Sequence, residues 1–468
     1  MPGLLPDGFR FGVAMAGFQN EGGFNGPGEP ANNWARWEAE GRVEPSGVAL
    51  DFWNRYDEHL GRAAAAGCDA VRLSVEWARC EPADGVFDDD AFARYRQILE
   101  ACHAHGLTPL LTLHHFTHPA WLGEDFWTQR EAPERFAAWA EVAVGTLADL
   151  CGAWVTLNEI NVLALQSYSS GFFPPGRRLD IAASVRALDN LLAAHVLTYA
   201  VIHQHRPDAV VSTNNQSLTV YELDRLHTDL LLVRSEGINR YDVRPWLAER
   251  RRDFYATAVP PGAAERALRR LSAAAVPLDQ AFPRAIEAIY ASPHERCTDV
   301  NQIDYYNPLV SSHLRVPGHR TSGGRGWLPG RLLWDDPPYP AGLTYRCGLG
   351  ADDGLAVWVV ENGICNRVRR GRSWPRVDRW DRPRYLRANL AAVVDALDRG
   401  VPVTGYYHWT LADNYEWGSY EPRFGLYGVD RDRGVRWSEL DAMGHDSAGA
   451  YRRIIEGLRA GDRSVLEK

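Results

Sequence analysis

The sequence predicts an α/β protein, a single (β/α)8 barrel with long loops on one face, occupying residues 1–468 as one domain. Two observations carry that prediction. Short apolar or β-branched runs alternate with longer amphipathic stretches, the pattern of a parallel sheet covered by helices. About eight such units fit in the chain, the number that closes a barrel. A third points the same way: Gly67, Gly106 and Gly400 each stand just before an apolar run, where a helix C-cap belongs.

In chain order, the candidate strands are residues 9–16, 70–75, 108–113, 154–157, 210–215, 303–306, 357–360 and 404–408. Helical patterns lie between most of them, at 51–66, 89–105, 133–151, 181–205 and 382–399. The charged, helical stretch 225–276 connects the fifth strand to the sixth. Segment 318–340, rich in Gly, Pro and Trp, reads as a long loop after the sixth strand. Long barrel loops gather on the substrate side. An open doubly wound sheet is the competing architecture. It would bring a phosphate-binding glycine fingerprint after the first strand, and the chain reads FQNEGGFNG there. The Gly-rich run 322–326 lacks the ending of a P-loop. No internal repeat or low-complexity linker divides the chain.

Composition narrows the function classes. With 45% hydrophobic and 24% charged residues, the chain can build a large core and is not globally disordered. A net charge of −9 argues against a nucleic-acid binder, which needs a basic footprint. The start, MPGLLPDGFRFG, lacks the basic and apolar regions of a signal peptide, and no apolar run reaches the ~18 residues of a membrane span. The seven cysteines (Cys68, Cys80, Cys102, Cys151, Cys297, Cys347 and Cys365) are odd in number and lack C-x-x-C spacing. Neither a disulfide framework nor a zinc site is expected, and reduced thiols in a cytoplasmic protein are the simpler account. The 17 tryptophans chiefly fill core, although an indole face also suits the apolar face of a sugar.

Polar residues cluster where the strands end: Gln19 and Glu21, Arg72 and Glu76, His114, His115 and His118, Asn158 and Glu159, Tyr305 and Tyr306, Glu361 and Asn362, then Trp409, Asp413, Asn414, Glu416 and Trp417. A barrel brings all these ends to one face. Two of the carboxylates, Glu159 in TLNE and Glu361 in VVENG, directly follow apolar runs, so ring closure can set them face to face. Glycoside hydrolysis needs that pair: one carboxyl protonates the departing oxygen while the other attacks the anomeric carbon or activates water. Either could instead simply cap a strand end. The pairs His103/His105 and His203/His205 do not share a helix face, which argues against metal ligation. His195, on an Ala- and Leu-rich helix, reads as a hydrogen-bonded packing residue.

Together these segments resemble glycoside hydrolase family 1, the β-glucosidase and β-galactosidase family. The resemblance runs from Phe9 to about Trp437, through FRFGVAMAGFQNEG, RLSVEWAR, TLHHF, TLNE, VVENG and WTLADNYEW in family order. It implies a retaining β-glycosidase that hydrolyses terminal β-D-glucosides, galactosides or fucosides by double displacement, without cofactor or metal. Glu159 would be the acid/base and Glu361 the nucleophile. Arg72 and Tyr306 would keep Glu361 ionised and oriented, and Asn158 would bind the sugar 2-hydroxyl. Gln19, His115, Glu416 and Trp417 would hold the other hydroxyls, Trp409 would floor the sugar, and Trp334 would face the aglycone.

The chain departs from the family pattern at several positions. Ile160 replaces a Pro, Phe116 a Trp, Phe18 a Tyr or His, and Asp304 an Asn that lies near the acid/base. Glu416 and Pro422 occupy the region where phospho-sugar members carry a Ser and Lys set, which disfavours a 6-phosphosugar. Two rival readings remain: a transglycosidase using the same glutamates, and a non-catalytic sugar-binding barrel. The implied partner is a small β-glycoside, not a nucleic acid or a membrane.

Overall fold

The apolar runs become strands of one parallel sheet. The computed structural model describes residues 4–217, 220–257, 263–278, 281–306, 338–370, 372–376, 378–431 and 434–467. Trp334 and most of segment 318–340 lie outside the described residues. The barrel strands are β1 (Arg10–Ala14), β2 (Ala70–Ser74), β3 (Thr108–Thr112), β4 (Ala153–Val155), β5 (Val210–Ser212), β6 (Asn214–Gln216), β7 (Val300–Asp304), β8 (Ala356–Asn362) and β9 (Val403–Trp409). Their hydrogen-bonded order is β5-β4-β3-β2-β1-β9-β8-β7-β6. Only Thr213 separates β5 from β6, so the two ends of that order are one interrupted strand and the sheet closes on itself. It is an eight-stranded barrel whose fifth strand is broken, as the alternation predicts.

Each barrel strand leads to a helix on the outside: α1 (Phe52–Ala65), α2 (Asp89–Ala104), α3 (Ala132–Leu147), α4 (Ile181–His205), α5 (Pro283–Ala291), α6 (Pro340–Gly348), α7 (Arg382–Asp398) and α8 (Ser447–Arg459). Four of them start the same way. Asp88, Asp180, Asp381 and Asp446 accept a hydrogen bond from the backbone N–H three residues on, at 2.8–3.0 Å. Each such cap contributes about 1 kcal/mol. The charged stretch after β6 folds as predicted into helices, at Leu226–Leu232, Val243–Thr257 and Ala263–Ala275.

Strands covered on both faces read as near-continuous apolar runs, and β2 is buried at all five positions. Ala14, Ala70, Leu110, Val155, Val360 and Tyr407 come from six strands yet form a cluster of their own. Side chains from non-neighbouring strands can meet only inside the ring. The larger core lies between strands and helices. At Gly12 the strands approach so closely that a Cβ would lie 2.4 Å from the Tyr407 ring and 2.9 Å from the Ala70 carbonyl oxygen.

Three expectations need correction. The sixth predicted strand ends at Asp304, so Tyr305 and Tyr306 follow it and are not part of it. The seventh runs through Asn362, so Glu361 lies inside a strand; β8 is held on both sides by neighbours, which extends it past the apolar run. Finally, α4 does have the length and apolar composition of a membrane span. Its apolar window is 72% buried within the protein, and Asp189 on it accepts from the backbone N–H groups of Arg284 and Ala285, so the tertiary fold uses it as a packing helix.

Candidate active site

At the C-terminal ends of the strands, side chains from six of them converge on one cavity. Arg72, on β2, is fully buried. Its Nη1 donates to Glu361 Oε1 at 2.7 Å, its Nε to Thr112 Oγ1 at 3.0 Å, and its Nη2 to Asn158 Oδ1. Glu361 Oε2 accepts the Tyr306 hydroxyl at 2.6 Å. Both oxygens of Glu361 are therefore held by donors, one of them cationic. Behind β8, a Cβ at Gly363 would lie 2.2 Å from the Trp409 carbonyl oxygen, so only glycine lets these two strand ends meet.

Glu159 sits where β4 gives way to the short helix Ile160–Leu165, in the left-handed region at φ 40°. A non-glycine residue there costs about 1–3 kcal/mol. Its N–H is tied to Asn214 Oδ1 at 3.2 Å, which fixes the turn. Asn214 Nδ2 also donates to Asn158 Oδ1, at 3.0 Å, and to Asp304 Oδ2. Asn214 thus joins the ends of β4, β6 and β7. The closest oxygens of Glu159, Asp304 and Glu361 all lie within 4.8 Å of one another. A cation could bridge oxygens so spaced, but the Arg72 guanidinium already brings positive charge, 2.7 Å from Glu361 and 3.8 Å from Asp304.

The other side of the cavity is aromatic. The His115 ring lies between Trp409 and Trp417, with centroids at 5.8 and 5.7 Å and planes within 11° of parallel. Trp409 Nε1 donates to Glu416 Oε1 at 3.0 Å. Phe116 and Trp417 adopt positive φ, like Glu159, and both pack against Phe173. Gln19 adjoins this wall, its amide donating to the Tyr415 carbonyl oxygen at 2.9 Å and reaching the Glu416 carboxyl. Its own Oε1 is buried with no partner among the described residues, as is His115 Nδ1.

Burial dominates the titration of the site. It pushes the Glu361 carboxyl above its ordinary value, although Arg72 and the Tyr306 hydrogen bond pull the other way. Glu159 is raised much further, by burial and then by the Glu361 charge. Asp304 is raised in the same way, by burial, then Glu361 and Glu159. Glu416 is pushed up to about 8 by burial, against the Trp409 hydrogen bond. Burial and the Arg72 charge hold His115 well below the usual imidazole range, so it is neutral.

The structure brings together ten of the residues singled out in the sequence. Glu159, Glu361, Tyr306, His115, Trp409, Glu416 and Trp417 line the cavity. Arg72 is tied to Glu361 and to Asn158, and Gln19 reaches Glu416. Trp334 lies outside the described residues. Other strand-end polar residues serve loops. Glu76 accepts from Phe18 N and Thr117 Oγ1, and Asn362 joins Tyr385 and Tyr406. His195 bridges Thr156 and the Cys297 carbonyl oxygen, as a packing residue should. Sequence reasoning missed Asn214 and Thr112. Asn214 had a signal, since it is polar at the end of the fifth apolar run.

Comparison with known proteins agrees with this geometry. The family model described as glycosyl hydrolase family 1 matches residues 1–243 and 340–457. The chain is 27% identical to 6-phospho-β-galactosidase 1 of Streptococcus pneumoniae, over 94% of this chain and 97% of that one. It is 29% identical to 6-phospho-β-galactosidase of Lacticaseibacillus rhamnosus, over 91% and 94%. It is 27% identical to a β-galactosidase of Sulfolobus acidocaldarius, over 91% of each. In fold it is similar to the β-glucosidase from Thermotoga maritima solved with deoxynojirimycin, with a TM-score of 0.74 and 24% identity over 97% of this chain and 98% of that one. The chain belongs to glycosyl hydrolase family 1 and is a glycoside hydrolase built on a (β/α)8 barrel.

Proposed function

We propose that this enzyme hydrolyses terminal, unphosphorylated β-D-glycosides with retention of configuration, Glu361 acting as nucleophile and Glu159 as acid/base. One observation carries the reading: the nearest oxygens of the two carboxyls are within 4.8 Å. Retaining enzymes set the two carboxyl groups about 5–5.5 Å apart and inverting ones about 6.5–9.5 Å, and a close approach of one oxygen from each favours the first. The two titrations are also ordered for the task. Glu361 is the less raised of the pair and has a cationic partner, so it ionises first. Its charge then keeps the proton on Glu159. Once Glu361 is esterified that charge is gone, and Glu159 can ionise and take a proton from the attacking water. On this reading Asn158, bonded to Arg72 and His115, meets the sugar 2-hydroxyl. Gln19, His115, Glu416 and Trp417 take the remaining hydroxyls, Trp409 floors the ring, and Trp334 is assigned to the aglycone by resemblance alone. The seven cysteines are free and buried, which fits a reducing compartment and a cytoplasmic enzyme.

A phosphorylated sugar is the second reading, because two of the relatives named above are 6-phospho-β-galactosidases. Arg42 and Arg178 line the same cavity and could meet an anion. Against it stands Glu416, a carboxyl within the sugar pocket, where a phosphate dianion would meet like charge at any pH that ionises it.

The test is turnover of aryl β-glucoside, galactoside, fucoside and 6-phosphogalactoside, with Glu361→Gly and Glu159→Ala as controls. An unphosphorylated hexoside should be preferred. Glu361→Gly should be inactive and regain turnover with azide as the α-glycosyl azide, and Glu159→Ala should yield the β-azide. Preference for the phosphorylated galactoside, lost in Arg42→Ala, would replace the first reading with the second. No azide product from either variant would remove the double-displacement assignment.

A further inference from the structure

Asp304 ends β7 beside Glu159 and Glu361, and its surroundings bear on its protonation state. Its Oδ2 is taken by Asn214 Nδ2. Its Oδ1 is fully buried with no hydrogen-bond donor among the described residues, Arg72 Nη1 being 3.8 Å away. Across from it, Glu159 Oε1 is likewise buried with no donor among the described residues. The two carboxyls are within hydrogen-bonding reach of each other. With the carboxyls in reach of each other and one buried oxygen of each lacking a donor, a single proton shared between them satisfies both.

Charge counting says which state holds that proton. The charged and titratable groups facing the pair are Arg72 from β2, Glu361 from β8, Glu416 from the loop after β9 and Tyr306 after β7, with neutral His115 after β3. Arg72 balances one anion, and Glu361, in direct contact at 2.7 Å, is that anion. Glu159 must carry a proton on its other oxygen to act as an acid. Asp304 as a second or third anion would then go unbalanced in a buried site.

We infer that Asp304 is kept as a neutral carboxylic acid that donates its Oδ1 hydrogen to Glu159 Oε1, making it a positioning residue that aims the acid/base. The inference rests on the reading of Glu159 as acid/base. In the first step Glu159 passes the proton on its cavity-side Oε2 to the departing oxygen as the glycosidic bond breaks. The Asp304 proton is not consumed and now donates to a carboxylate, a stronger hydrogen bond. In the second step Glu159 regains a proton on Oε2 from the attacking water. Unlike an amide, this donor can be lost: at high pH Asp304 ionises and stops holding Glu159.

Infrared difference spectra of the unliganded protein near neutral pH, wild type against Asp304→Asn, test this directly, because a neutral carboxyl has a carbonyl stretch that no carboxylate shows. The wild type should show one such band that Asp304→Asn lacks. Asp304→Asn keeps a donor toward Glu159 and should hold kcat/KM at its optimum within about threefold. Its alkaline limb should follow a single proton loss where the wild type steepens to two. Asp304→Leu, which has no donor, should lose about 10- to 100-fold on phenyl glycosides and much less on dinitrophenyl glycosides, whose departure needs little acid help. An unchanged neutral-carboxyl band in Asp304→Asn, or alkaline limbs of equal steepness, would overturn the inference. Failure of azide rescue in Glu159→Ala would instead strike the role of Glu159 and leave the infrared result standing.

Discussion

Tyr306 Oη donates to Glu361 Oε2 across 2.6 Å, from a residue just past the end of β7 to one inside β8. Tyr306 is half-buried and its phenol stays protonated, since desolvation and the Glu361 charge push its ionisation well above the usual range. It therefore stabilises the charged form of the carboxylate. Tyr306→Phe should lower kcat by about 10- to 100-fold, the worth of a hydrogen bond to a charged group. It should also raise the Glu361 carboxyl further, so the acid limb of kcat/KM moves to higher pH. An acid limb that stays in place would mean that Glu361 does not set it.

Arg72 is the cation closest to the paired carboxyls, and it touches Glu361, Asn158 and Thr112 at once. Arg72→Met keeps the bulk but leaves the carboxyls without their counter-charge. Removing one partner of a buried ion pair costs about 3–5 kcal/mol. Chemical denaturation should show a loss of that order, and residual activity should appear only at higher pH. A variant as stable as the wild type would show that Glu361 is protonated at rest.

Glu416 should make stability depend on pH. Its folded-state carboxyl is pushed up to about 8, from an ordinary value of 4.5, so the folded protein holds a proton that the unfolded chain releases. Its favourable contribution is complete below about pH 4.5 and is lost as pH rises toward about 8. Glu416→Gln keeps an oxygen for the Trp409 N–H and removes the titration. Its melting temperature should rise relative to wild type at pH 8 and change little at pH 5, while KM for the sugar increases. Equal shifts at both pH values would contradict burial as the cause.

The two carboxyl titrations also place the optimum. On the proposed roles, activity needs Glu361 ionised and Glu159 protonated, so it should fall as pH drops through the first and as pH rises through the second. Both are raised, Glu159 more so. The kcat/KM profile should therefore be bell-shaped, with both limbs above those of two ordinary carboxyls, whose values lie near about 4.3. Glu159→Ala should remove the alkaline limb for dinitrophenyl glycosides and keep the acid one.

Closure of the barrel can be tested at Gly12. A side chain there meets the Tyr407 ring and the Ala70 carbonyl oxygen, neither of which can retreat from the centre of a closed sheet. Gly12→Ala should destabilise by about 1–3 kcal/mol, the usual cost of overpacking, with a matching fall in the denaturation midpoint. A neutral result would mean that β1 and β9 can slide apart.

The sequence by itself determined the barrel and which two strand-end glutamates meet at its mouth. Alternation of apolar runs and amphipathic stretches is a local property, so it survives in a linear reading, and ring closure then forces Glu159 and Glu361 to one face. Family-like motifs at Arg72, Asn158 and Tyr306 were legible for the same reason, since each is short and sits at a strand end. The tertiary structure alone decided which strand-end polar groups face the cavity. Glu76 and Asn362 resemble site residues in sequence but turn away to brace loops, because the side-chain direction at a strand end is set by the neighbours it packs on. Asn214 was missed because its importance lies in joining three strand ends, Glu159, Asn158 and Asp304, that are far apart in the chain. The state of Asp304 was also beyond the sequence: a carboxyl's charge depends on how many donors and counter-ions surround it, and that count exists only once the ring has closed.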